Sequence, residues 1–311
     1  MKKSFLISAC VAVLLLSCSK TKETPSGQKF SVLKSGSGEP AKFGDVLLVN
    51  FLFKDGKDSV WTDSRKNPFP TMIMKDSAQL QMTKDPIIEV IHMLRKGDSV
   101  SVAIAAKELF AKTFGSPVPE GVDSTSNFTF LIGITDVVSQ DRARELQNEY
   151  IAKQNEEARK AEQEQLARDT VAIDLFLKDK GIAAQKTASG IRYIITKPGK
   201  GDTAQPGQQV KVNYTGYLLD GTCFDSSIES VAKAKNVFNE QRKPYEPLQL
   251  TLGMRQVIPG WEEALSLMNK GAKMTVYIPS TLAYGSRRRS EVIVENSILM
   301  FDMELLDIVK Q

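Results

Sequence analysis

Residues 210–227, VKVNYTGYLLDGTCFDSS, decide the fold. Val210, Val212 and Tyr214 alternate with Lys211, Asn213 and Thr215, the period of two expected of a half-buried strand. Asp220-Gly221 follows as a strong hairpin signal. Working outward, Leu248 to Leu252 alternates again and stops at Gly253, and Met274 to Ile278 and Ile298 to Leu305 make two further alternating strands. Between them Pro259 to Met268 reads as one short helix. Its acids Glu262 and Glu263 lie in the first turn, Lys270 lies near its end and Gly271 just beyond, as the macrodipole and the C-cap preference ask. Trp261, Leu265 and Met268 share one face of it. Short strands with a single helix predict an α+β domain, an antiparallel sheet packed on a helix.

The same pattern occurs twice. Gly199, Gly201, Gly207 and Val212-Asn213-Tyr214 repeat Gly36, Gly38, Gly44 and Val49-Asn50-Phe51 at an offset of 163. Asp225-Ser226 answers Asp63-Ser64 at 162, Lys270-Gly271 and Tyr284 answer Lys96-Gly97 and Phe110 at 174, and Phe301 answers Phe130 at 171. The chain is therefore a duplication, its second copy enlarged between Asp225 and Gly271. Ser139 to Lys180 joins the copies without a Gly or Pro, and Glu149–Lys153, Glu156–Lys160 and Glu164–Arg168 each set an acid four residues before a base. At 1.5 Å per residue this charged helix reaches about 60 Å. Its middle lacks the sustained a/d positions of a coiled coil and reads as a spacer, while Val171, Ile173, Leu175, Phe176 and Leu177 make its end apolar enough to dock.

Composition narrows the chemistry. The 311 residues hold 41 basic and 37 acidic side chains, a balance that gives no argument for nucleic acid. The single histidine, His92, and the three cysteines, Cys10, Cys18 and Cys223, leave no set of ligands for a structural zinc, and no phosphate, redox or metal motif is present. No cofactor and no metal are expected. His92, the one imidazole available to a hydrolytic triad, falls on the short helix of the first copy and is expected to be a surface or satisfied residue.

At the N-terminus Lys2 and Lys3 precede an apolar run from Phe5 to Leu16, too short to span a bilayer and suited to a secretory signal. Ser17-Cys18 at its end resembles a bacterial lipobox, which implies cleavage after Ser17 and a lipidated Cys18. Two or three acyl chains on one cysteine hold a protein to a bilayer where a single chain does not. Cleavage takes the formal charge from +4 to +2 by removing Lys2 and Lys3. The expected organisation is then a signal peptide at 1–17, a flexible tether at 18–28, a first domain at 29–138, a helical linker at 139–181 and a second domain at 182–311.

Residues 212–227, 256–265 (QVIPGWEEAL), 283–285 (AYG) and 299–306 (LMFDMELL) together resemble the FKBP-type peptidyl-prolyl isomerase signature. The four segments occur in the family's order across residues 182–311. The resemblance implies two FKBP-like domains and an enzyme that isomerises Xaa-Pro bonds in exported polypeptides, with no cofactor and no metal. It places Tyr214, Phe224, Asp225, Val257, Ile258, Trp261, Tyr284, Ile293 and Phe301 around a proline pocket floored by Trp261. It further implies that the Tyr284 hydroxyl and the Ile258 backbone N–H hold substrate carbonyls, while Asp225 orients its neighbours. Such a reaction suits a chain nearly devoid of histidine, because rotating an amide needs no proton shuttle.

The rim departs from the family. Leu248 stands where an aromatic wall is common, and Arg287, Arg288 and Arg289 fill the loop that overhangs the pocket, favouring acidic clients or lipid phosphate. Lys233, Lys235, Arg242 and Lys243 of the Ile228–Pro247 insertion are a candidate second basic rim. In the first copy Thr62 replaces the pocket Phe, Ile87 replaces the Trp floor and Phe110 lacks the tyrosine hydroxyl, so that copy is expected to keep the fold and lose the chemistry. The expected partners are proline-containing polypeptides and, through Cys18, a bilayer; the expected location is a bacterial envelope, lipid-anchored at the outer membrane and facing the periplasm. The competing expectation is a non-catalytic envelope chaperone that holds clients in the same groove.

Overall fold

The computed structural model describes residues 20–309, so the leader, Ser17 and Cys18 lie outside the described residues. The chain divides into two compact units that part at Lys153–Gln154.

In the first unit the strands are β1 (Lys20–Glu23), β2 (Lys29–Lys34), β3 (Val46–Lys54), β4 (Val60–Asp63), β5 (Thr71–Met74), β6 (Ser99–Ala105) and β7 (Asn127–Val138). They form one antiparallel sheet in the order β1-β2-β6-β7-β3-β4, with β5 beside β3. Helices α1 (Ser77–Thr83), α2 (Pro86–Met93) and α3 (Ala106–Lys112) connect them. Leu47, Val49 and Phe53 of β3 enter the main core with Val90 and Ile91 of α2. Val46 and Leu48 on the opposite face are covered by Ala143 and Leu146. A strand covered on both faces explains why 46–49 reads as unbroken apolar sequence.

Two expectations are corrected here. The stretch 20–28 is not a free tether: Lys20–Glu23 pairs with Lys29–Val32, Thr24 is buried, and Glu89 of α2 accepts hydrogen bonds from the backbone N–H and hydroxyl of Ser26. Main-chain pairing needs no apolar side chains, so the polar composition concealed it. His92 is neither exposed nor fully satisfied. It is buried, its Nε2 meets the Met74 carbonyl at 3.1 Å, and its Nδ1 has no partner among the described residues. Burial pushes its imidazole below the ordinary histidine range.

Helix α4 (Gln140–Asp179) is the long charged connector, 40 residues and about 60 Å at 1.5 Å per residue. Side chains from Ile151 to Glu164 are exposed, and Glu156–Lys160 closes at 2.6 Å. Its last turns are apolar on one side, where Ile173 and Leu177 bury against Tyr277.

The second unit repeats the plan of the first. Its strands are β8 (Gln185–Lys186), β9 (Arg192–Lys197), β10 (Lys200–Thr203), β11 (Gln209–Leu218), β12 (Cys223–Ser226), β13 (Leu248–Thr251), β14 (Asn269–Lys270), β15 (Lys273–Ile278) and β16 (Leu299–Val309). The main sheet runs β12-β11-β16-β15-β9-β8 with β13 beside β11, while β10 and β14 pair separately. Strand for strand this is the first unit's order. Helix α5 (Glu229–Ala234) lies in the insertion, and α6 (Pro259–Ser266) packs Trp261, Ala264 and Leu265 on the sheet. The expected helix ran to Met268; instead Leu267 and Met268 close it in short turns, and Asn269-Lys270 leaves as β14. Both units are thus α+β, an antiparallel sheet on a short helix, with a long charged helix in the chain between them.

Candidate active site

Strands β11, β12 and β16 run side by side, with Gly216 opposite both Asp225 and Phe301. A Cβ at Gly216 would sit 2.5 Å from the Phe224 ring and 2.8 Å from Phe301. The missing side chain therefore lets the two rings meet edge to face, 5.5 Å apart at 87°. Trp261 rises from the first turn of α6 beneath them, 5.2 Å from Phe301 at 89° and 4.9 Å from Tyr214 at 79°. These near-perpendicular rings frame a cavity of about 170 Å³, which Asp225, Leu248, Gln256, Val257, Ile258 and Tyr284 complete. The loop before α6 is held because Glu262 accepts from the N–H groups of Gly253 (2.6 Å) and Arg255 (3.0 Å).

One polar network is built into the wall. The Tyr214 hydroxyl donates to Asp225 at 2.6 Å and accepts from Arg242 at 2.9 Å, and the Arg242 guanidinium also pairs with the second oxygen of Asp225. Burial, reinforced by the Asp225 hydrogen bond, pushes the Tyr214 phenol up to about 12. It stays protonated, so the network fixes ring orientation and moves no proton near neutrality. Among the described residues neither the Ile258 N–H nor the Tyr284 hydroxyl donates within the protein. Two donors therefore border the aromatic-walled cavity.

Of the residues singled out from the sequence, Tyr214, Phe224, Asp225, Val257, Ile258, Trp261, Tyr284, Phe301 and Leu248 converge on this cavity. Ile293 does not line it; it is buried in the core, and its carbonyl accepts from the N–H groups of Arg289 and Ser290. Arg287, Arg288 and Arg289 are exposed, and Arg289 lies over the Tyr284 ring at 5.8 Å. The insertion does not form a free basic rim. Lys233 and Lys243 pair with Glu229 and Glu240 and both lie over Phe238, Lys235 lies over the Tyr217 ring at 5.9 Å, and Arg242 turns inward to Asp225. Sequence reasoning missed the inward role of Arg242 and the lining role of Gln256. Arg242 sits in an insertion, where spacing gives no register.

The first unit carries a cavity at the equivalent place, about 360 Å³, lined by Phe51, Phe53, Trp61, Thr62, Ile87 and Phe130 among others. Its register corrects the sequence reading by one residue. The Ser64 hydroxyl accepts from the Phe51 N–H as the Ser227 hydroxyl accepts from the Tyr214 N–H, so Ser64 corresponds to Ser227. Trp61 then stands for Phe224 and Thr62 for Asp225, rather than Thr62 for the phenylalanine. Asp63 lies outside the cavity and pairs with Arg65 at 2.7 Å. Phe53 takes the place of Gly216 and stacks on Phe130 at 4.5 Å.

The profile of the FKBP-type peptidyl-prolyl cis-trans isomerases matches residues 200–306. The chain is 40% identical over 153 residues to the FKBP-type peptidyl-prolyl cis-trans isomerase FkpA of Buchnera aphidicola subsp. Schizaphis graminum, covering 49% of this chain and 53% of that one. With FK506-binding protein 2 of Candida glabrata it shares 40% identity over 134 residues, 42% of this chain and 88% of that one. With the outer membrane protein MIP of Legionella longbeachae the identity is 33% over 179 residues, 57% of this chain and 68% of that one. The chain thus spans little more than half the length of the Buchnera relative.

Proposed function

The chain belongs to the FKBP-type peptidyl-prolyl cis-trans isomerase family, and we propose that its second unit catalyses the rotation of Xaa-Pro bonds in polypeptides. The observation that carries this reading is the box of perpendicular aromatic rings with two unspent donors at its edge.

Rotation about a peptide bond faces a barrier of about 18–20 kcal/mol, because the planar form is resonance-stabilised. That resonance places negative charge on the carbonyl oxygen and double-bond character on C–N. Seating the prolyl ring against Trp261, Phe224 and Phe301 takes the amide out of water and disfavours the charge-separated planar form. The twisted amide, with less charge separation, is better matched to the box. Tyr284 and the Ile258 N–H anchor carbonyls, so that binding energy is spent on the twisted state. Each tenfold of acceleration needs about 1.4 kcal/mol of such preference. The Tyr214–Asp225–Arg242 network keeps the wall from collapsing.

The first unit is proposed to be non-catalytic. Its cavity keeps aromatic walls but has Thr62 for the carboxylate, and Phe110, the counterpart of Tyr284, is buried in the core without lining the cavity. Lipidation of Cys18 is proposed to hold the chain at a bacterial envelope membrane, where it meets exported clients. Only Ser19 then separates the lipid from β1, so the first unit lies against the bilayer instead of trailing on a tether. Among the described residues no helix is long and apolar enough to cross a membrane.

A protease-free assay of Xaa-Pro isomerisation on the full chain tests the catalytic reading. Activity that drops in Phe224→Ala and Tyr284→Phe is expected; client binding without turnover would favour the holding chaperone. Intact mass from membranes tests the lipid.

A further inference from the structure

Asp169 lies on α4, outside the residues that the family profile matches, and is only 3% exposed. A carboxylate so buried needs strong partners. One of its oxygens accepts from the Ser280 N–H at 2.7 Å and from the Ser280 hydroxyl at 2.6 Å, and the other accepts from Gln165 at 2.7 Å. Ser280 is itself fully buried, 111 residues along the chain, in the short turn Ser280–Leu282 that follows β15.

What Ser280 does next gives the contact its meaning. Its carbonyl accepts from the N–H groups of Ala283 at 2.9 Å and Gly285 at 2.8 Å. These amides flank Tyr284. The turn carrying Tyr284, which also packs on the core through Leu282 and Ala283, is thus tied on both sides of Tyr284 to one serine, and one carboxylate accepts from both the N–H and the hydroxyl of that serine. The helix supplying it is anchored within the two turns that follow the contact. Asp174 takes Arg192 of β9 in a bidentate pair at 2.9 and 3.0 Å, and Ile173 and Leu177 bury against Tyr277, three residues before Ser280. Beyond Gly285, whose carbonyl accepts from the Asn296 N–H at 2.8 Å, the loop runs on through the exposed arginines and is held again at buried Ile293, whose carbonyl accepts from Arg289 and Ser290.

We propose that Asp169 is a positioning residue for the isomerase reaction, acting through Ser280 to hold the Tyr284 hydroxyl at the edge of the pocket. The last turns of the connecting helix are then a working part of the site and not only a spacer. The effect on turnover rests on the isomerase reading above; the pinning of the loop does not.

The test uses the full chain with Asp169→Ala, Asp169→Asn and Ser280→Ala, each also combined with Tyr284→Phe. Hydrogen exchange is followed at the Ala283 and Gly285 amides and, as an internal control, along β16, together with kcat/KM on a short Xaa-Pro peptide. In Asp169→Ala the two loop amides are expected to exchange about tenfold faster while β16 keeps its protection, and kcat/KM to fall about three- to tenfold. Asp169→Asn, which still presents an oxygen to Ser280, is expected to stay within about twofold of the parent. In the Tyr284→Phe background the loss caused by Asp169→Ala should shrink to less than about twofold, because an interaction acting through one group vanishes with it. Unchanged loop exchange overturns the proposal, as does a full loss of turnover that persists without the Tyr284 hydroxyl, or an Asn variant as impaired as Ala. Should Asp169→Ala loosen β16 as well, Ser280→Ala is judged by the same criteria. A parent chain without turnover would refute the isomerase reading, and the exchange at Ala283 and Gly285 would still decide the pinning.

Discussion

Gly216→Ala is the most incisive substitution in the second unit, because it adds one methyl at the place where two pocket rings converge. The new Cβ would lie 2.5 Å from Phe224, about 0.9 Å inside the 3.4 Å of ordinary contact, and 2.8 Å from Phe301. Phe301 is buried against Trp261 and Tyr214 and has little room to retreat, whereas Phe224 is half-buried and gives way into the cavity. Overpacking of this kind costs about 1–3 kcal/mol, and replacing a strand glycine returns roughly 0.5–1 kcal/mol, so a net loss of stability of about 0–2.5 kcal/mol is expected. Activity should suffer far more. Misplacement of a site group by 1 Å can cost about 100-fold, and the displaced ring moves by nearly that much into a cavity of about 170 Å³. Urea unfolding should therefore show a modest shift of midpoint, while kcat/KM on an Xaa-Pro peptide falls about 100-fold. A variant that folds and keeps kcat/KM within about threefold of the parent would refute the idea that the Phe224–Phe301 contact shapes the pocket.

Three further outcomes are expected. Because burial lowers the His92 pKa, aided by Lys75 and opposed by the Met74 hydrogen bond and Asp76, the unfolded chain takes up a proton below about pH 6.5 that the folded chain refuses. The first unit should lose stability as pH falls from 7.5 to 5.5, read as the urea midpoint of Trp61 fluorescence in a Trp261→Phe chain; an undiminished slope in His92→Gln would assign it elsewhere. Arg242→Met removes the guanidinium from Asp225 and Tyr214 at a site about a third exposed, so stability should change by less than about 1 kcal/mol while kcat/KM drops about three- to tenfold. Equal loss of both would make Arg242 a structural strut only. Replacing Arg287, Arg288 and Arg289 by serine should abolish the salt dependence of kcat/KM for peptides with an acidic residue before proline, and a salt response shared equally by acidic and basic peptides would exclude the loop from selectivity.

The fold was legible wherever one face of a strand is buried. Val210, Val212 and Tyr214 enter the core, as do Met274, Val276 and Ile278, and Leu299, Phe301, Met303 and Leu305, so burial writes itself into the sequence with a period of two. The pocket was legible because its residues sit at fixed places on paired strands and on the first turn of a helix. Other contacts leave no such trace. Residues 20–23 join the sheet through main-chain groups, which composition does not register. Arg242 reaches Asp225 from an insertion, and Asp169 reaches Ser280 across 111 positions, so neither has a local pattern. Asp63 misled because an Asp-Ser pair occurs in both copies; the serine that accepts from the strand N–H sets the register, and it follows the first carboxylate by one residue and the second by two. A slip of one residue in a strand exchanges the wall of a pocket for its outer face.

That slip changes what the duplication says about mechanism. With Trp61 in the place of Phe224, the first unit has not lost its aromatic wall; Phe53, Trp61 and Phe130 still surround a cavity of about 360 Å³, larger than the second unit's. What it has lost is the carboxylate and both phenols, with Thr62 for Asp225, Phe110 for Tyr284 and Phe51 for Tyr214, along with the indole floor, now Ile87. The smaller floor enlarges the cavity, and Phe53, free to occupy the position that Gly216 keeps open, stacks on Phe130 and thickens one wall. An apolar box alone disfavours the charge-separated planar amide, but it leaves the substrate carbonyls unanchored and the amide unoriented. On the proposed reading, donors fixed relative to the rings add the orientation, and in the second unit these are Tyr284 and the Ile258 N–H beside the Tyr214–Asp225–Arg242 network. If the proposed assignment holds, the two cavities separate binding from turnover within one chain, with the rings common to both and the carboxylate–phenol–guanidinium network confined to one.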